Sequence, residues 1–332
     1  MAEAEFKSVM IYCEIAKGKL SANSAEVLGC GRKLADQLGQ ELSAVLLGSN
    51  IGAFAQEAIT FGADKVYVVD DPLLKDYETD SYVSVMVKVV EQVRPRILLM
   101  GQTSTGRDLA PRLAFRLGTA VTMDCVELAI DPESKLLLQT KPVYGGNALA
   151  TFTFNSFPQI ATVRARVMSP LKPDTSRDGE FVTIAASLDL SAARTKVLEK
   201  VEAEGTRLED VDVVITGGRG IGSAEGFKEL EELAKMLKGA VGATRPPCDN
   251  KWVPAEVQIG ITGKIVAPKL YIAVGVSGAT QHIGGCSASK TIVAINKDPD
   301  ANIFREAHFG VIGDWKKVIP AFTGKVRELL SR

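Results

Sequence analysis

The chain opens with apolar runs that alternate with amphipathic stretches. Residues 6–13 (FKSVMIYC) read as a buried strand, and beyond Asn23 and Ser24 the positions Val27, Gly31, Leu34 and Leu38 share one helical face that Gly39 ends. The alternation continues as strand LSAVLLG, short helix AFAQEAITFG, strand DKVYVVDD, helix YVSVMVKVVEQV, strand RILLMG and helix TGRDLAPRLAFRLG. Continuous apolar strands between amphipathic helices predict a parallel sheet covered on both faces.

After Asp124 the texture changes. LLLQTKPVYGG and ALATFTFNS read as a β-excursion, and PQIATVRARVM as a further extended run. From Ser169 to about Gly205 the chain is polar, charged and broken by prolines, the best linker candidate. A second α/β pattern follows: VDVVITG, a glycine turn, and a helix from Ser223 with Phe227, Leu230, Ala234 and Leu237 on one face. AVGATR, KLYIAVG, TIVAIN and FGVIGD are further strands. Asp314 can cap a last helix whose apolar face is Trp315, Val318, Ile319, Phe322, Val326 and Leu329, and which Pro320 should kink. The expected fold is α/β with two domains, 1–200 and 205–332, each a mostly parallel sheet flanked by helices.

Composition narrows the chemistry. With 332 residues there is room for two cores, and a net charge of −1 gives no electrostatic case for nucleic acid or an anionic membrane surface. No apolar run is long enough to span a bilayer, and the N-terminus has the pattern of neither a signal nor a transit peptide, so a cytoplasmic protein is expected. Five cysteines without a CxxC, and only two histidines, argue against a metal site, a cluster or a redox dithiol. Any electron chemistry therefore needs an organic cofactor.

In an open parallel sheet, ligands sit beyond the carboxyl ends of strands. Thr216-Gly217-Gly218-Arg219-Gly220-Ile221-Gly222-Ser223 reads either as an anion cradle of backbone N–H groups with Arg219 as cation, or as a plain glycine turn. In Val276-Ser277-Gly278-Ala279-Thr280-Gln281-His282, Ser277 can cap a helix whose first turn presents Gln281 and His282; a lone histidine is also often structural. Ile295-Asn296-Lys297-Asp298 suits a ribose or adenine edge, or a turn. Thr244-Arg245-Pro246-Pro247 can aim a fixed cation into a cleft, and Ile259-Gly260-Ile261-Thr262-Gly263-Lys264 adds another polar turn. A long, bent dinucleotide across several strand ends accounts for all five segments together.

These segments resemble the alpha subunit of the electron-transferring flavoprotein family. The likeness is carried by VITGGRG, GATRP, TGKIVAPKLYIAVGVSGATQHIGG, KTIVAINKDP and FGVIGD, and in the first half by TSTGRDLAPRLAFRLGTAVTMDC, KPVYGGNALAT and PQIATVR. It implies that the second domain is a Rossmann-like FAD-binding domain and that the first meets a beta subunit. By position, Arg219 and Ser277, Gly278 and Ala279 would hold the diphosphate, with Asn296, Asp314 and Trp315 at the adenosine end. Thr244 and Arg245 would sit at the isoalloxazine, and Ile259, Gly260, Ile261 and Thr280 are further cofactor-binding positions. Thr262 would donate near flavin N5, and Gln281 and His282 would approach the ring or the ribityl chain. Arg245, Thr262 and His282 are the residues implied to tune the flavin, Arg245 or His282 stabilising an anionic semiquinone.

Three positions depart from the family pattern: Ile261 where a Gln is usual, Asn302 for a Pro, and His308 for an Asp. Cys286 reads as packing. The implied role is an electron carrier, reduced by dehydrogenases of acyl-CoA type in fatty acid β-oxidation and oxidised by a membrane quinone oxidoreductase or another acceptor. Two alternatives stay open: an electron-bifurcating complex that oxidises NADH with a second FAD in the beta subunit, and a self-contained NAD-dependent enzyme. A nucleotide-binding stress module is conceivable for the first domain alone.

Overall fold

The computed structural model describes residues 6–16, 18–146, 148–187, 195, 197–199 and 207–331. Most of the SAARTKVLEKVEAEG stretch, and with it the expected boundary between 200 and 205, lies outside the described residues. The chain forms two compact units: Met1–Pro142 with Leu149–Val201, and Val143–Ala148 with Glu202–Arg332.

In the first unit the strands are β1 (Val9–Cys13), β2 (Ile15–Ala16), β3 (Lys19–Leu20), β4 (Leu42–Gly48), β5 (Lys65–Asp70), β6 (Ile97–Gly101), β7 (Val121–Cys125), β8 (Glu127–Ile130), β9 (Leu137–Val143), β10 (Ala148–Phe152), β11 (Gln159–Val163) and β12 (Glu180–Thr183). The helices are α1 (Ala22–Leu38), α2 (Ala55–Thr60), α3 (Thr79–Val93) and α4 (Ser104–Leu117). Seven strands form one parallel sheet in the order β12-β5-β4-β1-β6-β11-β7, while β10-β9-β8 form the predicted excursion. Alternate residues of one strand enter opposite cores: Val9, Ile11 and Cys13 on one face, Met10 and Tyr12 on the other. Such strands need no polar face, which is why they read as unbroken apolar runs.

Two local details differ from expectation. Helix α1 is capped by Ser21, whose side chain accepts from the Ser24 amide, two residues ahead of the predicted start. Within the stretch read as linker, Glu180–Thr183 pairs in parallel with β5 as an edge strand.

The second unit contains β13 (Val213–Gly217), β14 (Ala240–Ala243), β15 (Leu270–Val274), β16 (Ile292–Asn296) and β17 (Phe309–Ile312). Its helices are α5 (Glu225–Met236), α6 (Arg245–Asp249), α7 (Thr280–Ile283), α8 (Ile303–Glu306) and α9 (Trp315–Leu330). All five strands are parallel, in the order β14-β13-β15-β16-β17. Again the faces divide: Val214, Tyr271, Ala273 and Ala294 face one core, Ile215, Ile272, Val274 and Ile295 the other. Helix α5 begins at Glu225 rather than Ser223. Asp314 caps α9 as expected, accepting from the Lys316 amide, and α9 runs from Trp315 to Leu330 as one element with Pro320 inside it. Its apolar face is only partly used: Trp315 and Ile319 are buried, while Phe322 and Leu329 are exposed. No helix among the described residues is long and apolar enough to cross a membrane.

Candidate functional site

Because the second sheet is wholly parallel, Gly217, Ala243, Val274, Asn296 and Ile312 end their strands along one edge. The segments singled out in the sequence follow directly from these residues. The order places the second strand of the unit on one side of the first and the third on the other. The loops after β13 and β15 therefore leave a topological switch point, where an open α/β sheet forms its ligand crevice. The 258–264 turn joins the same edge through the Ile259 amide, which donates to the Ala243 carbonyl at 2.8 Å.

Glycine makes the switch point close. The Gly218 amide donates to Val274 O at 2.9 Å and the Gly220 amide to Gly275 O at 3.0 Å. A Cβ on Gly218 would lie 2.2 Å from the Gly275 oxygen, and Gly275 has φ +62°. Ile221 and Gly222 also donate to backbone carbonyls within the turn. Their amides are thus committed to the chain itself. The glycines serve close approach of two loops, and Arg219, exposed on that turn, is left as the element that can meet an anion.

The loop after β15 is built differently from expectation. Helix α7 starts at Thr280 with Ala279 at its cap position and no side-chain cap bond, so Ser277 does not cap it. Ser277, Ala279, Thr280 and Gln281 are exposed, whereas Gly278 is buried and lets α8 in: a Cβ there would stand 2.1 Å from the Ile303 amide nitrogen. His282 does not emerge. It is 6% exposed, with Nε2 2.9 Å from the Tyr271 hydroxyl and Nδ1 2.9 Å from the Ile259 carbonyl. Burial lowers its pKa from the ordinary histidine value, and the hydrogen bond to Ile259 only partly opposes this. A neutral ring with both nitrogens engaged inside the protein is not the cation the sequence reading allowed for.

Arg245 begins α6 after Thr244, with Pro246 and Pro247 behind it. Its guanidinium is 70% exposed and its Nε lies 3.2 Å from Asp249 Oδ2, an exposed pair of little net strength that leaves the cation free to serve a ligand. Thr244 is buried. Thr262 is exposed, and its hydroxyl oxygen accepts from Gln258 Nε2 at 3.0 Å, so its own proton remains available to donate. Ile261, also exposed, anchors its backbone by donating to Gln281 O at 2.8 Å.

Asn296 reaches back from β16, its amide donating to Val276 O at 2.8 Å while its Oδ1 accepts from the Asp298 amide. Asp314 is exposed. Trp315 is buried instead of open to an adenosine, and its indole donates to Gly220 O at 3.1 Å. Of the other departures, His308 brackets β16, its Nδ1 accepting from the Ile292 amide at 3.0 Å while its own amide donates to Ile292 O. Cys286 is buried, and burial pushes its thiol up to about 12, in keeping with packing. No cluster of His, Cys, Asp and Glu suited to a metal occurs among the described residues.

Sequence reasoning missed one contributor. The tip of the β9–β10 hairpin, Val143–Ala148, belongs to the second unit. Gly145 rests on Thr280, where a Cβ would come 2.6 Å from its methyl. A cavity of about 230 Å³ opens there, lined by Gly145, Gly146, Gly278, Thr280, Asn302 and Arg305. Two glycines in a β-turn carry no sign of where the turn docks; only the fold supplies that.

Comparison with known proteins shows the family. Residues 9–204 match the electron transfer flavoprotein domain, and residues 207–287 the electron transfer flavoprotein FAD-binding domain. An electron transfer flavoprotein subunit alpha of Thermoanaerobacterium thermosaccharolyticum is 46% identical over 98% of this chain and 99% of its own length. The corresponding subunit of Megasphaera elsdenii is 42% identical over 98% of each chain. Protein FixB of Clostridium saccharobutylicum is 40% identical over 99% and 98%. The exposed groups on the strand-end edge suit FAD: two guanidiniums for phosphate or ring, the hydroxyls of Thr262, Ser277 and Thr280 with the Gln281 amide as donors, and the Asp314 carboxylate as acceptor. The chain belongs to the electron transfer flavoprotein family as an alpha subunit, and its cofactor is FAD.

Proposed function

We propose that this chain carries electrons between proteins, as the FAD-holding half of a heterodimer with an electron transfer flavoprotein beta subunit. In this reading it works in the cytoplasm, takes electrons from dehydrogenases of acyl-CoA type and yields them to a quinone oxidoreductase or another acceptor. The observation that carries it is that Arg219, Arg245, Thr262, Ser277, Asn296 and Asp314 lie along one strand-end edge, in a chain that matches the electron transfer flavoprotein FAD-binding domain.

When bound, FAD supplies one- and two-electron redox chemistry. The chain supplies the surroundings. Arg219 neutralises the diphosphate, with Ser277 to Ala279 alongside. Asp314 accepts from ribose hydroxyls. Arg245 sets a fixed positive charge at the ring, favouring added electrons, and Thr262 holds a donated proton toward the flavin. In the first unit, the exposed Phe115, Leu149 and Phe152 offer apolar surface that a partner subunit would cover.

The test is anaerobic reductive titration of the heterodimer purified with its beta subunit, with flavins counted and NADH offered alongside dehydrogenase-bound substrate. Reduction by an acyl-CoA dehydrogenase and its substrate, with NADH inert, is the expected result. Reduction by NADH with a second flavin present would shift the reading to a bifurcating complex, and a colourless NAD-binding monomer would end it.

A further inference from the structure

Below the strand-end edge lies a buried polar chain that the cofactor contacts above do not use. Tyr271, in β15, is fully buried, with 0% exposure, and its hydroxyl sits 2.9 Å from His282 Nε2. On the other side of the imidazole, Nδ1 is 2.9 Å from the Ile259 carbonyl oxygen. A carbonyl can only accept, so Nδ1 carries the ring proton. Nε2 is then the bare nitrogen, and the tyrosine hydroxyl donates to it. The Ile259 carbonyl, which can only accept, fixes the tautomer; the Tyr271 hydroxyl, able to donate or accept, takes the donor role this leaves and anchors the other ring nitrogen.

The far end of this chain is the start of the turn that carries Ile261 and Thr262. The turn is also held through its backbone and through Gln258 Nε2, which donates to the Thr262 hydroxyl at 3.0 Å. Its backbone is held at the Ile259 amide by Ala243 O, at the Gly260 amide by Lys264 O at 3.0 Å, and at the Ile261 amide by Gln281 O. Gly260 has φ +150°, and a Cβ on Gly285 would lie 2.5 Å from the Gly260 nitrogen, so the turn lies flat on α7 with no side chain between. The Ile259 carbonyl is the point at which a buried side chain of α7, His282, grips this turn, and Tyr271 holds the other nitrogen of that ring.

We propose that Tyr271 is a positioning residue for the flavin: through the imidazole of His282 it orients the Ile259 peptide and so the aim of the Thr262 hydroxyl. The inference rests on the reading that Thr262 faces the flavin ring. Tyr271 itself touches no cofactor.

Two measurements test it, both on the FAD-loaded heterodimer. This chain has two histidines, and the geometry gives them opposite tautomers: Nδ1–H for His282, and Nε2–H for His308, whose Nδ1 accepts from the Ile292 amide. With histidine labelled in this chain alone, imidazole ¹⁵N spectra at about pH 8.5, two units above the ordinary histidine value, should show one ring of each kind. The ring that disappears in His308→Gln should be the Nε2–H one. A His282 ring in the Nε2–H form overturns the proposal without any variant of the pair.

The second measurement is Tyr271→Phe, which keeps the ring's bulk and removes the hydroxyl, with its donation to His282 and its contact with the Cys286 thiol. The expected result is a shifted Nε2 signal from a His282 ring that stays in the Nδ1–H form, a shifted visible flavin spectrum and first reduction potential, and FAD bound about tenfold more weakly, the size of one buried hydrogen bond. Tyr12→Phe, at a buried tyrosine of the other unit, should alter none of these. FAD bound by Tyr271→Phe with unchanged affinity, spectrum and potential overturns the positioning role while leaving the flavin reading intact. Failure of the unmutated heterodimer to bind FAD removes both.

Discussion

Trp315 donates its indole N–H to the carbonyl oxygen of Gly220 across 3.1 Å, joining the first turn of α9 to the loop after β13, 95 residues earlier. The ring also lies over Gly226 at the start of α5, where a Cβ would come 3.0 Å from the indole. One side chain thus holds the arginine-bearing turn from behind. Trp315→Phe keeps most of the buried area but leaves Gly220 without this donor, so a loss of roughly 1–2 kcal/mol is expected. The heterodimer should melt earlier and release FAD faster. Unchanged melting and release would show that the turn needs no such support.

Glycine at the switch point and glycine elsewhere should behave oppositely. Gly218→Ala places a methyl 2.2 Å from the Gly275 carbonyl, backbone against backbone, with nothing flexible to move aside. The two loops must part, and destabilisation of about 1–3 kcal/mol with lost flavin is expected. Gly324→Ala, in α9, meets nothing within 4 Å and should stabilise by roughly 0.5–1 kcal/mol. Comparing flavin content and melting temperature of the two variants checks this. A flavin-replete Gly218→Ala protein would mean that the loops are not in register as described.

The sheets were legible because a parallel strand buried on both faces has no polar alternation to blur it: VMIYC and LSAVLLG could hardly be anything else. The strand-end loops were legible for the same reason, since each starts where an apolar run stops. What a side chain does inside such a loop was not. His282 looked like a ligand because it follows a glycine turn, but its partner Ile259 is 23 residues away in sequence. Trp315 is likewise committed to a carbonyl from a distant loop. The strand Glu180–Thr183 is not legible in the sequence, because four residues with exposed ends, amid charge and proline, give no period to read. Only pairing with β5 defines it.

Arg245 is the exposed cation of α6, and its own Asp249 opposes it across 3.2 Å. In the proposed arrangement Arg245 lies at the flavin ring, so replacing it by Ala removes positive charge there and the first reduction potential should fall. Roughly 1 kcal/mol of lost stabilisation corresponds to about 40 mV for one electron. Asp249→Asn should raise the potential by a smaller amount, because it frees the same charge. Both shifts should shrink as salt is added. Reductive titration against redox dyes measures them, and potentials equal to the parent's in both variants would take Arg245 out of the ring's surroundings.

Glu14 gives a pH dependence in the first unit. It follows β1, and its carboxylate accepts from the hydroxyl of Thr103, the cap residue of α4. Burial raises its pKa above the ordinary glutamate value, with the Thr103 hydrogen bond only partly opposing. An acid whose folded pKa is raised folds most favourably while protonated. Its contribution is therefore fully present below the unfolded value, about 4.3, and is lost as pH rises through the folded pKa. Glu14→Gln removes the charge and keeps an oxygen to accept from Thr103. At about pH 8 the variant should be more stable by roughly 1 kcal/mol, a rise of about 2–4 °C in melting temperature for a unit of this size. The advantage should fade on titration towards about pH 4, where the parent's carboxyl becomes neutral as well. A variant that melts lower at pH 8, or whose advantage grows on acidification, would mean that the Glu14 charge is welcome where it lies.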